Sequence, residues 1–129
     1  MITYVRVTCL AAGALNAAAA VALLVAPEWF FSNVGTFPPF NRHYAGDAGA
    51  FLLPSALALV WAARDPLRHR ELIAVGAGFS VIHAGVHWRD SGLAPQTLLL
   101  VLLAILLVAS WVLVQVRSSS GSSSPNASR

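Results

Sequence analysis

Charged residues are scarce in this sequence. Only 10% of its 129 residues are Asp, Glu, Lys or Arg, and 57% are hydrophobic, whereas an average soluble domain is about a quarter charged. A chain with so few polar side chains cannot cover the surface of a soluble core. The composition therefore excludes an ordinary soluble domain and predicts one polytopic membrane domain whose outer faces are solvated by the lipid bilayer.

Lysine is absent, since all eight cationic residues are arginine. The arginines stand at the ends of apolar runs and form no basic patch with interleaved aromatics, so the net charge of +3 does not indicate a nucleic-acid partner. Arginine in place of lysine, with abundant Ala, Val, Leu and Gly, is typical of coding bias in a GC-rich bacterium. Cysteine occurs once, as Cys9, which excludes an intramolecular disulfide and predicts a packing role.

Four apolar runs are each long enough to form a transmembrane helix. The first run, about 22 residues long, reaches about 33 Å as a helix, against a hydrocarbon core of about 30 Å. The predicted spans are residues 5–26, 44–63, 72–88 and 96–116. The predicted fold is therefore all-α, an integral membrane four-helix bundle that runs up-down-up-down.

The segments outside the spans complete the predicted domain organisation. Residues 27–42 combine four Pro or Gly residues with five Trp or Phe residues, which predicts an aromatic-rich outer loop or a short helix lying in the membrane surface. Residues 118–129 are rich in serine and have no apolar side chains to bury, so we expect a disordered cytoplasmic tail after a four-span domain of residues 1–117.

The distribution of arginine predicts the orientation in the membrane. With four spans, both termini share one side with the loop between spans two and three. That side carries six of the eight arginines, namely Arg6, Arg64, Arg68, Arg70, Arg117 and Arg129, and the other side carries Arg42 and Arg89. Cytoplasmic segments are enriched in arginine, so both termini are predicted to be cytoplasmic in a bacterial plasma membrane.

Ionisable side chains enter the apolar sequence at two places, each with a four-residue spacing. His43 and Asp47 begin the second predicted span, and His83 and His87 end the third. The predicted orientation brings all four to the outer leaflet, and residues four apart share one face of a helix. Imidazole and carboxylate are ligands of zinc, iron and copper. The four residues are therefore a candidate metal site, with a transition metal as the candidate cofactor.

Other interpretations use the same residues. Axial haem ligands would have to come from different helices, for example His43 with His83 or His87. Histidines beside a carboxylate also suit a proton relay, and hence proton-linked transport of a small solute by an oligomer.

In a third alternative the protein is a non-enzymatic accessory or structural subunit whose polar residues tie helices together, with Asp47 paired to Arg42 or Arg89. Asn16, near the middle of the first span, is expected to donate hydrogen bonds between helices. A second copy of the chain or another membrane protein is the partner expected for such a subunit.

Two segments of the chain carry a resemblance to known proteins. Residues 43–50, with residues 83–87, resemble a group of small four-helix membrane proteins from actinobacteria. That group pairs an aromatic-rich first outer loop with a His-x-x-x-Asp-x-Gly-Ala entry to helix two and a His-x-x-x-His near the end of helix three. In general layout the chain is also similar to DoxX-like four-helix membrane proteins. The closer group has no assigned activity, so the resemblance implies the fold and the same four residues, and no substrate.

Overall fold

The computed structural model describes residues 1–35 and 38–122, and within these ranges the chain is all-helical with no strand. Five helices follow one another along the chain: α1 (Ile2–Val25), α2 (Pro27–Asn33), α3 (Arg42–Ala62), α4 (Arg70–Ser91) and α5 (Pro95–Ser122). The all-α prediction is confirmed, and of the loop or short helix expected within the aromatic-rich segment, the structure shows a short helix, α2. Thr36 and Phe37 of that segment lie outside the described residues.

Three of the helices are long and apolar enough to cross a membrane. They are α1, α3 and residues Pro95–Ser120 of α5. α4 has 22 residues, which is sufficient length, but it begins with Arg70 and Glu71 and ends with Arg89 and Asp90, and these charges lower its apolar character. Among the long helices of the described residues, α4 is therefore the one whose length and composition are not enough to identify it as a membrane span.

Local sequence signals account for three of the helix boundaries. Pro27 occupies the first turn of α2, where its missing N–H would be unpaired anyway. The side chain of Asn41 caps α3 by accepting hydrogen bonds from the backbone N–H groups of His43 and Tyr44, at 2.9 and 3.2 Å. α4 ends at Ser91 and is followed by Gly92, whose φ of 56° is one that glycine adopts without steric cost.

α1 and α3 pack closely because small residues lie where their backbones cross. A Cβ added at Gly13 of α1 would stand 2.7 Å from Val60 Cγ2 and 3.0 Å from the carbonyl oxygen of Ala56. A Cβ added at Gly49 of α3 would stand 3.0 Å from the carbonyl oxygen of Ala20. Cys9, Gly13, Asn16 and Ala20, which follow one another along α1 at steps of four, three and four, are all buried.

The same principle joins α3 to α4. A Cβ added at Gly76 would stand 2.5 Å from Leu59 Cδ2, and Leu59 itself is fully buried. This contact belongs to a core that is shared by α1, α3, α4 and α5, near the turn between α3 and α4. The core contains Val5, Cys9, Ala12, Leu59, Ala62, Ala63, Ile73, Ala77, Leu103, Leu107 and Val114. Outside this core, α1 packs mainly against α3, and α4 mainly against α5.

α5 is longer than the sequence predicted. The structure places Ser118–Ser122 in the helix, where a disordered tail was expected from residue 118. The hydroxyl groups of Ser118, Ser119 and Ser120 each donate to the carbonyl oxygen four residues earlier, at 2.9 to 3.1 Å. Such back-bonding satisfies the hydroxyl groups without ending the helix. The predicted tail beyond residue 122 lies outside the described residues.

Candidate functional site

The first pair of candidate residues stands on the first turns of α3. His43 Nε2 lies 3.5 Å from Asp47 Oδ2, one helical turn away, as the four-residue spacing predicted. The Asn41 cap fixes the backbone on which His43 is carried. The pair faces outward, because the side chains of His43 and Asp47 are 82% and 52% exposed.

The second pair stands near the end of α4. The ring centroids of His83 and His87 are 4.9 Å apart at an interplanar angle of 67°, an edge-to-face arrangement. Phe79 extends the row, with its ring centroid 5.6 Å from that of His83. Both imidazoles are half-buried.

The structure does not bring the two pairs together. Among the described residues no group of three or more His, Cys, Asp or Glu side chains is placed to hold a metal ion. The expected four-ligand centre of His43, Asp47, His83 and His87 is therefore two separate two-residue pairs within one chain. Asp47 does lie beside an imidazole, but that imidazole belongs to its own helix.

The rotation of α3 explains this separation. Leu59 marks the face of α3 that meets α4, and Gly49 marks the face that meets α1. At about 100° of rotation per residue, His43 and Asp47 each lie about 120° or more from both of these faces. On α4, by contrast, His83 and His87 lie within about 20° of Gly76, which faces α3. The pair on α4 is thus turned towards α3, and the pair on α3 is turned away from α4.

The charged residues near these pairs have partners other than those expected. Arg42 Nη1 lies 3.9 Å from Glu28 Oε1 of α2, and Arg89 Nε donates to Asp90 Oδ1 at 2.9 Å. This hydrogen bond raises the pKa of the Arg89 guanidinium above its ordinary value. Asp47 therefore does not pair with Arg42 or Arg89 as the structural alternative supposed.

Asn16 also differs from its expected role. Its side chain is 8% exposed, as expected for the interior, but its Nδ2 atom makes no hydrogen bond to any described residue. Ser55 Oγ of α3 is also buried and makes no hydrogen bond to any described residue. The register set by Gly13 and Gly49 puts both residues in the middle layer of the contact between α1 and α3. That layer is held by close packing of small residues rather than by side-chain hydrogen bonds.

Sequence reasoning missed an open face on α4. Val75 and Ile82 are 63% and 70% exposed, and a Cβ added at Gly78 or Gly85 would meet nothing within 4 Å. These four residues follow one another at steps of three, four and three, so they form one stripe along the helix. We call them the open face of α4. The same spacing was visible in the sequence, but only the structure tells an open stripe from a packed one.

A shallow apolar groove of about 260 Å³ runs between α4 and α5. Its walls include Val81, Ala84 and Trp88 of α4 and Val101 and Ile105 of α5. None of the residues that line this groove is ionisable, and Ala84 lies on the side of α4 that meets α5. The groove is therefore distinct from the His83–His87 pair.

No protein-family model, no curated protein and no solved structure matches this chain.

Proposed function

We propose that the protein is a four-span protein of the bacterial plasma membrane, with both termini cytoplasmic, and that it acts as a non-enzymatic accessory subunit. In this role it packs through α4 against another membrane protein, of which a second copy of the chain is the simplest case. α4 is the fourth span of this proposal, although its composition is less apolar than that of α1, α3 and α5.

The charge distribution supports the proposed orientation. One end of the molecule comprises the start of α1, the 63–69 turn, the first turn of α4 and the segment of α5 after Val114; we call it the Arg64 end. Its described side chains include five arginines and two carboxylates, a net charge of +3. The opposite end, which carries α2, has two arginines and three carboxylates, a net charge of −1. An excess of arginine marks the cytoplasmic side.

The open face of α4 is the observation on which the accessory role depends. Lipid chains cannot fill the space beside a glycine as closely as a second helix backbone can, and small residues mark helix contacts in membranes for this reason. Gly78 and Gly85 are open on the least apolar of the four long helices. A neighbouring helix from another chain would cover this stripe, which lies on the side of α4 away from Gly76 and α3.

The packing of the interior supports the same role. At Gly13, Gly49 and Gly76 the neighbouring helix stands so close that a single Cβ would meet atoms at 3.0 Å or less. These contacts leave no room for a substrate between α1 and α3 or between α3 and α4 at those levels. The surfaces available for function are therefore the outer faces and the two ends.

Bulky substitutions on the open face test the proposal. Gly78→Leu with Gly85→Leu should not lower the stability of the isolated chain, because a Cβ at either position meets nothing within 4 Å and leucine favours a helix more than glycine does. The same pair should reduce the mass of the complex extracted in mild detergent from that of an assembly to that of a single chain. Detergent-corrected light scattering measures this mass.

Gly46→Leu is the matched control, since Gly46 is equally open but lies on α3. It should leave the mass of the complex unchanged. A natural chain that is already monomeric in mild detergent, or an assembly that survives both α4 substitutions, would contradict the proposal.

A second candidate function is metal binding at the outer end of α4. It is favoured by the 4.9 Å separation of the His83 and His87 rings, which suits two imidazoles that bind one transition-metal ion. Zinc sites use three or four protein ligands, so the remaining donors would come from a second chain or from His43 and Asp47 after a movement of α3. Zinc, iron and copper all accept such ligands.

Elemental analysis separates the two candidates. If the metal site is correct, purified protein contains about one metal ion per chain or per dimer, and His83→Gln with His87→Gln removes it. The control is His69→Gln, which changes a histidine at the opposite end of the molecule. Purified protein without metal under several conditions, or metal that survives the double substitution, would eliminate this second candidate.

A further inference from the structure

The Arg64 end gathers cationic side chains that have no carboxylate partner. Arg6, Arg64 and Arg68 take part in no ion pair with any described residue, whereas Arg70 pairs with Glu71 at 3.0 Å. We call Arg6, Arg64 and Arg68 the arginine cluster. We propose that this cluster binds the phosphate of an anionic phospholipid headgroup. The proposal rests on the membrane insertion proposed above and extends it to a specific lipid contact.

One hydrogen bond joins distant parts of the chain at this cluster, and two ring contacts surround Trp61 beside it. Arg6 Nη2 of α1 donates to the carbonyl oxygen of Arg64 at 3.1 Å. The guanidinium carbon of Arg64 lies 4.5 Å from the centre of the Trp61 ring, a cation–π distance. His69 meets the same indole edge-on, with ring centroids 6.1 Å apart. The start of α1 and the 63–69 turn therefore form one surface.

Asp65 does not neutralise this surface. Its Oδ1 accepts a hydrogen bond from the backbone N–H of Arg68 at 3.2 Å, and it forms no ion pair with the guanidinium groups. One carboxylate beside three arginines leaves a net charge of +2, which attracts an anion to this surface. Arginine also matches the geometry of phosphate oxygens, because its N–H groups bind them in pairs.

The surroundings favour a phospholipid over a free anion. Trp61 is 53% exposed. Val7 and Leu57, in the apolar parts of α1 and α3 next to the cluster, are 59% and 60% exposed. A ligand with a phosphate and acyl chains can bind the arginines and lie along these side chains at once. Trp is also enriched at headgroup depth.

The test measures lipid binding to the full chain in detergent micelles by native mass spectrometry. Phosphatidylglycerol should bind with defined stoichiometry, and phosphatidylcholine should bind at least about tenfold more weakly, since each arginine near an anionic lipid surface contributes about a factor of five. Arg6→Gln with Arg64→Gln should weaken phosphatidylglycerol binding about tenfold or more. Arg42→Gln with Arg89→Gln removes two charges from the opposite end and should change binding by less than about threefold.

Arg68→Gln is a variant that should fold normally. In the structure Arg68 makes a hydrogen bond only through its backbone N–H, which the substitution keeps. It should weaken binding about fivefold. Equal loss in both double variants, no loss in Arg68→Gln, or displacement of the lipid by millimolar inorganic phosphate would each overturn the proposal. Resistance of the chain to alkaline extraction from membranes reports on insertion separately, so a failed lipid site and a failed membrane assignment give different results.

Discussion

At the scale of single residues, glycine has opposite consequences at different places in this molecule. Gly13 lies where a Cβ would stand 3.0 Å from a backbone carbonyl of α3, whereas Gly46 has open space around it. A larger side chain therefore fits at position 46 but not at position 13. Glycine is therefore required at Gly13 by packing, and at Gly46 it only lowers helix propensity.

Alanine substitutions should separate these two cases by the sign of their effect. Gly13→Ala should lower the free energy of unfolding by about 1–3 kcal/mol, because the added methyl forces α1 and α3 apart. Gly46→Ala should leave it unchanged or raise it by up to about 1 kcal/mol, because alanine favours the helix. Reversible unfolding in detergent measures both values. Equal stability of the two variants would show that the close contact at Gly13 is not present in solution.

At the scale of the helices, the cap of α3 controls the turn that carries His43 and Asp47. Asn41→Ala removes the acceptor of two backbone N–H groups, so we expect it to lower the free energy of unfolding by about 1 kcal/mol. Asn41→Asp keeps a capping oxygen and should retain the stability. Amide hydrogen exchange should show faster exchange of the first turn of α3 in Asn41→Ala alone. Equal exchange in both variants would contradict the capping role.

The sequence was sufficient to predict the helices and insufficient to predict how they face one another. Apolar runs located all four long helices to within three residues, except at the end of α5, because their length depends on local composition. The four-residue spacing also placed His43 beside Asp47 and His83 beside His87. Whether the pairs meet depends on the rotation of α3, which is set by Gly49 and Leu59 against two different neighbours. That rotation is a tertiary property, and no spacing within α3 encodes it.

The end of α5 illustrates the other limit. A serine-rich composition predicts disorder, but the hydroxyl groups of Ser118, Ser119 and Ser120 bond to the preceding turn, and the apolar helix before them supplies the turns that they extend. The composition of the serine-rich segment alone does not show that the preceding helix α5 can continue into it.

At the scale of the whole molecule, the difference in charge between the two ends predicts which side each faces. In a Cys9→Ala background, Leu67→Cys at the Arg64 end should react with a membrane-impermeant maleimide only after cells are permeabilised. Asn33→Cys, in exposed α2, should react in intact cells. The opposite pattern of labelling would show that the orientation is the reverse of the proposed one. Reaction of both cysteine variants in intact cells would exclude the proposed placement of the two ends on opposite sides of the membrane.

The uneven packing of the helices has a consequence for how the chain is made. α1 packs mainly against α3, and α4 mainly against α5, so the partners of each close pair are near neighbours along the chain. Domains and their parts fold in the order in which the ribosome delivers them, and α1 can find α3 before α4 has been synthesised. Folding can therefore proceed as the successive formation of two helical pairs, and a nick in the 64–69 turn would leave each pair on one piece of the chain.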